Sequence, residues 1–529
     1  MSDGAWLEAA QEMLHGPTAA GSGEHMTESE TSKPPLVGMG IEGLDDVLRG
    51  GLVPNRMYLV EGDPGSGKTT LATQFLLEGA RLGQPCLFIT LSESDEELRA
   101  SAASHGWSLE GVKVAEIIAS EESLKPDARY TMYHPSEVEL GETIKAVLAE
   151  AERTKPARLV FDSLSELRLL AQNPLRYRRQ ILALKQFFAR QRCTVLFIDD
   201  KTGDVGDTHL HSISHGVISM ERHSPEYGTM RRRLQVIKMR GRDFRAGFHD
   251  YAIRRGGVEV FPRLVAAEYK TSFAREAVKS GLEPLDALLG GGLARGTSTL
   301  ILGPAGTGKS TLANQYSVAA AARGDQAALF LFDESPATLF ERSAALRMDV
   351  EGLVKAGRVS VRQVDPAELS AGEFAQAVRL EVEQKKSRIV VIDSLNGYLN
   401  AMPSERHLTL HLHELLAYLG QQGVTTLLLM AQHGLVGEAV HVPVDASYLA
   451  DTVILMRYFE VLGEVRQAIS VIKKRTGRHE RTIRELRFED GKGVVIGEPV
   501  REFQGVLTGA PALLGMNLHG GRKDEPPPR

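Results

Sequence analysis

Two stretches set glycines, a lysine and a hydroxyl at a spacing suited to a polyphosphate. Gly62-Asp63-Pro64-Gly65-Ser66-Gly67-Lys68-Thr69-Thr70 and Gly303-Pro304-Ala305-Gly306-Thr307-Gly308-Lys309-Ser310-Thr311 both fit G-x-x-x-x-G-K-[ST]. Glycines let such a loop turn so tightly that several backbone N–H groups face one phosphate. The lysine brings a point charge to the β/γ-phosphates, and the Thr69 or Ser310 hydroxyl is placed to ligate Mg²⁺. The helix that follows turns its N-terminus to the same anion. An apolar run precedes each loop, Met57 to Val60 in one case and Ser298 to Leu302 in the other. The strand–loop–helix context that the motif requires is therefore present twice.

Three further sets of residues bear on the same chemistry. Leu159-Val160-Phe161-Asp162-Ser163 and Ile389 to Ser394 are apolar strands that end in Asp162 and Asp393. In a P-loop protein such an aspartate holds Mg²⁺, directly or through water; alternatively it caps a turn. Hydrolysis also needs a carboxylate to orient or deprotonate the attacking group. Glu93, in Thr90-Leu91-Ser92-Glu93-Ser94, and Glu334, in Phe332-Asp333-Glu334-Ser335, occupy corresponding places, with Asp333 beside the second. Their alternative reading is a helix start, where the dipole favours acids. Late in each half come Lys238-Met239-Arg240 and Lys473-Lys474-Arg475. Alternation puts the outer residues of each triplet on one strand face. That face can reach a γ-phosphate on a neighbouring subunit, or it is a solvated edge where lysine is common.

The elements that must position these residues read as a duplicated α/β unit. Aligning Lys68 with Lys309 also aligns Leu44 with Leu285 and Asp45 with Asp286. Strands are predicted at 57–62, 86–91, 158–163 and 194–200, with helices at about 69–82, 94–105, 139–154 and 173–191. The second half repeats the pattern with strands at 298–303, 328–333, 389–394 and 425–431. This alternation implies mostly parallel sheets flanked by helices. Ile213 to Met239 and Thr452 to Arg475 alternate apolar and polar residues, as antiparallel hairpins do. The expected organisation is a disordered leader at 1–35, a first domain at 36–262, a second at 263–507 and a disordered tail at 508–529.

Composition narrows the class. With 42% hydrophobic and 25% charged residues the chain reads as globular. No apolar run is long enough to span a bilayer and no signal peptide is visible, so a cytoplasmic protein without a membrane partner is expected. Cys86 and Cys193 lie in apolar runs and read as buried thiols. A formal net charge of −6 argues against a general nucleic-acid binder. A recombinase-like DNA-dependent ATPase would need basic loops after the last parallel strands. Asp199 to Asp207 is acidic instead, and Gln432 to Asp445 has no Lys or Arg.

Taken together, both P-loops, Gly40 to Asp45, Ser104-His105-Gly106-Trp107, both Asp-Ser strands, Lys238-Met239-Arg240-Gly241 and Asp451 to Leu455 resemble the KaiC family, tandem ATPases of the RecA superfamily. The likeness covers about 36–510. It implies two RecA-like domains, ATP and Mg²⁺ as cofactors, and a homo-hexameric double ring with ATP between subunits. It also implies trans contacts from Lys238, Arg240, Lys473 and Arg475, and a KaiB-like or other signalling partner. In the family the second domain phosphorylates its own Ser and Thr, and the acceptor pair falls here on Ser447-Tyr448, leaving Ser447 as the acceptor. Where the family has Glu-Glu after the second strand, this chain has Ser92-Glu93 and Asp333-Glu334. The expectation is a signalling ATPase and serine autokinase. The alternative is a nucleotide-gated scaffold with little catalysis.

Overall fold

The computed structural model describes residues 35–117, 135–201, 208–225, 228–400, 408–432, 448–461, 463–506 and 512–513. The first half contributes strands β1 (Met57–Gly62), β2 (Cys86–Thr90), β3 (Val112–Glu116), β4 (Arg158–Asp162), β5 (Thr194–Asp200), β6 (Gly216–His223), β7 (Arg231–Met239), β8 (His249–Arg254) and β9 (Gly257–Phe261). They form one sheet in the order β3-β2-β4-β5-β1-β6-β7-β8-β9. The run from β3 to β6 is parallel, and β6 to β9 is an antiparallel extension.

The second half repeats this arrangement strand for strand. Its strands are β10 (Ser298–Gly303), β11 (Gln326–Leu331), β12 (Val359–Gln363), β13 (Ser387–Asp393), β14 (Thr425–Ala431), β15 (Thr452–Val461), β16 (Glu464–Lys474), β17 (Arg484–Glu489) and β18 (Gly493–Pro499). Their order is β12-β11-β13-β14-β10-β15-β16-β17-β18. The chain is thus two tandem RecA-like α/β units, and both predicted hairpins are present as β6–β7 and β15–β16.

Period-two alternation accounts for the layering. In β1, Tyr58 and Val60 face Leu71 and Phe75 of helix α1 (Lys68–Arg81), while Met57 and Leu59 line the other face with Leu87, Phe161 and Phe197 of neighbouring strands, packed with Ile144, Ile181 and Leu184. Both faces are covered, so the strand is apolar throughout. Each large side chain buried this way contributes about 1.5–3 kcal/mol. That fixes the register, and the register delivers the loop after Gly62 to one end of the sheet.

Three details depart from the sequence reading. The outermost strands β3 and β12 were not anticipated; each is short and has one buried residue, Val112 or Val359. Strand β11 ends at Leu331, so Asp333 lies beyond it in the following turn. Within the segment expected to be a disordered tail, Ala512 and Leu513 pair with Gln504 and Phe503.

The halves are joined by specific polar contacts. Helices α2 (Asp95–Ser104), α3 (Lys309–Ala322) and α4 (Pro336–Ala345) bear on the two loops, and α5 (Ala371–Glu383) on the junction between the halves. Helix α5 belongs to the second half, yet its Gly372 N–H donates to Asp250 Oδ2 of β8 at 2.7 Å. Arg254 pairs with Glu373 in the same turn, and Arg231 donates to the Pro366 carbonyl at 3.0 Å.

Candidate functional site

Each P-loop bends through left-handed glycines. Gly65 and Gly67 have φ of 75° and 93°, and Gly306 and Gly308 have 80° and 89°. A side chain has no room at the helix-starting glycine. A Cβ on Gly67 would lie 2.4 Å from Ile253 Cδ1, and one on Gly308 would lie 2.0 Å from the Phe488 ring. The antiparallel extension therefore clamps each loop from behind, through β8 and β17. Tyr251 adds a hydroxyl donated to the Ser66 carbonyl at 2.6 Å.

The loop lysines are buried and already aimed. Lys68 Nζ donates to the carbonyls of Gly62 and Asp63, both at 2.9 Å, and lies 2.8 Å from Asp200 Oδ1. Lys309 Nζ donates to Gly303 and Pro304 at 3.0 and 2.7 Å. Burial depresses the Lys309 ammonium below its ordinary range. Strand pairing explains the difference between the two sites. Gly62 sits opposite Asp200, whereas Gly303 sits opposite Ala431.

Each strand-end aspartate meets a P-loop hydroxyl. Thr69 Oγ1 donates to Asp162 Oδ2 at 2.8 Å, and the Ser310 side chain bonds Asp393. Burial raises both carboxylates; Asp162 is pushed up to about 6, with Glu93 and Asp200 adding to the rise. A buried carboxylate supported by little more than a hydroxyl and a nearby lysine is a poor resting place for negative charge. A hard divalent cation would relieve it, and hydroxyl and carboxylate oxygens are the ligands such a cation prefers. The Ser66 hydroxyl, buried inside the first loop and without a hydrogen-bond partner among the described residues, is a further polar group available to a ligand. The donor sets fit Mg²⁺ with a nucleotide.

The candidate bases differ between halves. Glu93 and Glu334 both stand just before a helix N-cap, Ser94 of α2 and Ser335 of α4. Burial raises both carboxyls above their ordinary value. Glu334 is held by Arg342 of α4 at 2.8 Å, while among the described residues Glu93 has no ion pair. Asp333 accepts a hydrogen bond from the Ser394 hydroxyl, next to Asp393. The second half thus gathers Asp333, Glu334, Asp393 and one arginine, and the first half gathers Glu93 and Asp162 with Ser101 where Arg342 stands. Arg342 was missed in the sequence because it reaches back across two helical turns.

The basic triplets lie far from the loops of their own half. Lys238 pairs with Val217 near the start of β6, whereas Gly62 pairs with Met220, three residues further along. Three to five strand rises, about 10–16 Å, separate Lys238 and Arg240 from the level of Gly62 along the strands. Lys238 and Arg240 do share a side, donating to the carbonyls of His211 and Ser212. Lys473 and Arg475 repeat this with the carbonyls of Ala450 and Tyr448, the latter at 3.0 Å, and Arg475 also faces Asp451. Ser447 and most of both loops considered for DNA lie outside the described residues. Cys86 and Cys193 are buried free thiols, and burial pushes the Cys86 thiol up to about 11. Among the described residues no helix is long and apolar enough to cross a membrane.

Comparison with known proteins covers nearly the whole of this architecture. The family model described as "ATPase: KaiC" matches residues 37–265 and again 278–501. The chain is 26% identical over 510 residues to "Circadian clock oscillator protein KaiC" of Thermostichus vulcanus, spanning 96% of each chain. It is 26% identical over 491 residues to "Circadian clock protein KaiC3" of Synechocystis sp., spanning 92% of this chain and 96% of that one. The KaiC of Synechococcus elongatus is 26% identical over 482 residues, 90% and 92% of the two chains.

Proposed function

Because this chain belongs to the KaiC family of ATPases, we propose that it is a Mg²⁺-dependent, two-site ATPase and serine autokinase that works as a homo-hexameric ring. The units are taken as 36–262 and 263–507. In each, the P-loop backbone from Gly65 to Thr70, or from Gly306 to Thr311, cradles the phosphates. Lys68 and Lys309 leave their resting carbonyls to meet them. Thr69 with Asp162, and Ser310 with Asp393, hold Mg²⁺, which when bound offsets charge on the phosphoryl oxygens. Glu334, with Asp333 beside it, takes the proton from water or from the Ser447 hydroxyl. Glu93 is the corresponding group of the first site.

The observation that carries the ring is the separation of each triplet from its own P-loop. Lys238, Arg240, Lys473 and Arg475 cannot serve the nucleotide of their own half, but they can serve one on an adjacent copy. The first site favours a second reading for that half alone. Ser92 supplies no acid beside Glu93, so that site holds nucleotide and turns it over little. Departure from the family at Ser92 and at Ser447-Tyr448 fits a signalling ATPase with a protein partner, KaiB-like in kind, better than a pacemaker with two phosphorylation sites.

Transfer from γ-labelled ATP tests this, with free phosphate followed in parallel. Label on the protein that disappears in Ser447→Ala and Glu334→Ala supports the autokinase. Free phosphate without protein label reduces the reading to an ATPase. Retained ATP with neither signal overturns catalysis.

A further inference from the structure

The two P-loops differ in what lies over them. Glu61 pairs with Ser219 and Leu302 with Leu455, so the residues three further along, Arg222 and Tyr458, occupy the same place in the two halves. Both reach the loop. A Cβ on Gly65 would stand 3.0 Å from Arg222 Nη1, and one on Gly306 would stand 2.7 Å from the Tyr458 hydroxyl. Tyr458 donates to the Ala305 carbonyl at 3.3 Å. Arg222 is exposed, and among the described residues its guanidinium has no carboxylate partner. The backbone N–H of Arg222 donates to Asp63 Oδ2 at 3.4 Å, which ties the end of β6 to the loop itself.

The charges around the first loop give this arginine a purpose. Asp63 and Asp200 stand where the second half has Pro304 and Ala431. Asp200 lies against Lys68 and offsets the charge that the motif lysine would offer a phosphate. Two carboxylates beside a polyphosphate site repel the ligand unless another cation counters them. Arg222 is the cation at hand. Its planar fork can donate to two phosphate oxygens at once, which a tyrosine hydroxyl cannot do.

We propose that Arg222 is a phosphate-binding residue of the first nucleotide site, contacting the polyphosphate in cis and offsetting Asp63 and Asp200, with no counterpart in the second site. The inference rests on the nucleotide-binding reading above and adds to it a residue outside the motif. It makes the first site depend on a cation that the second does without.

The test is ADP binding by calorimetry to the full chain carrying Lys309→Ala, so that only the first site reports. Adding Arg222→Ala is expected to weaken ADP about tenfold, the equivalent of one lost charge-assisted contact. Arg222→Lys should lose less, and the Arg222→Ala loss should shrink as salt rises. Asp200→Asn in the same background should tighten ADP. In the reciprocal background, Lys68→Ala, Tyr458→Phe should leave ADP binding at the second site within twofold. Melting without nucleotide checks that Arg222→Ala is folded. Equal ADP affinity with and without Arg222 would overturn the proposal while leaving the nucleotide site intact. A Lys309→Ala parent that binds no ADP would overturn the nucleotide reading of the first half and this inference with it.

Discussion

Replacing Arg342 with alanine should make the second site need a higher pH to work. The Arg342–Glu334 pair is 2.8 Å long, with side chains 33% and 20% exposed. A hydrogen bond to a charged group contributes about 1.5–3 kcal/mol, and partial exposure screens this toward the lower end. About 1.4 kcal/mol is one pH unit of acidity. Burial is the chief influence raising the Glu334 carboxyl; Arg342 opposes it, and Asp393 and Asp333 add to the rise. Without Arg342 every remaining influence pushes the same way. A base must be ionised, so a higher pKa means that activity is lost sooner as pH falls. The acid limb of the kcat profile should therefore move up by roughly one unit. The assay is steady-state ATP hydrolysis across pH in a Lys68→Ala background, comparing Arg342, Arg342→Lys and Arg342→Ala. Lysine should restore most of the limb. An acid limb that stays in place, or moves down, would refute the argument that Arg342 keeps Glu334 ionised.

Other perturbations have equally definite outcomes. Gly308→Ala forces a Cβ to 2.0 Å from the Phe488 ring at a φ of 89° and should cost about 2 kcal/mol together with nucleotide binding at the second site, read by melting and calorimetry. Buried His249 is held below its ordinary pKa, donating from Nε2 to the Arg245 carbonyl at 2.9 Å and accepting at Nδ1 from Arg263 N–H at 2.8 Å. Its contribution is complete above about pH 6.5 and is lost as pH falls from there toward the folded pKa, because only the unfolded chain takes the proton freely. Tm should drop over that window, and less so in His249→Gln. Asp250→Ala removes the acceptor at the start of α5 and should cost about 1 kcal/mol, seen as earlier urea unfolding.

Local chemistry was readable in the sequence, and chemistry assembled across strands was not. The P-loops and Asp162 and Asp393 are defined by neighbours along the chain. The contacts of Thr69 with Asp162 and of Ser310 with Asp393 follow from strands on either side of one intervening strand ending at the same edge of the sheet. Asp200, Arg222 and Arg342 carry no such mark. Asp200 matters because β5 pairs in register with β1, and Arg222 because β6 overshoots Gly62 and puts it two residues past the partner of that glycine. A one-residue slip in either strand would send these side chains to the opposite face. Strands β3 and β12 escaped notice because an outer parallel strand is short and half-solvated, which leaves no long apolar run to read. The basic triplets could be placed on one strand face from alternation, but only the antiparallel register shows them at the far end from their own P-loop.

The carboxylate of Asp250 also bears on how the protein can be taken apart. It serves as the first-turn acceptor for a helix in the other half, with Arg254 and Glu373 closing the same junction. A fragment cut between the two halves would leave Gly372 N–H to water and give Glu373 no cation from β8. Rates measured on an isolated second half would then belong to a protein with a frayed α5, whose Phe374 packs against Phe332, one residue before Asp333. Severing the chain is therefore itself a mutation of the second site. Intact chains with one loop lysine replaced at a time are the proper way to separate what the two halves do.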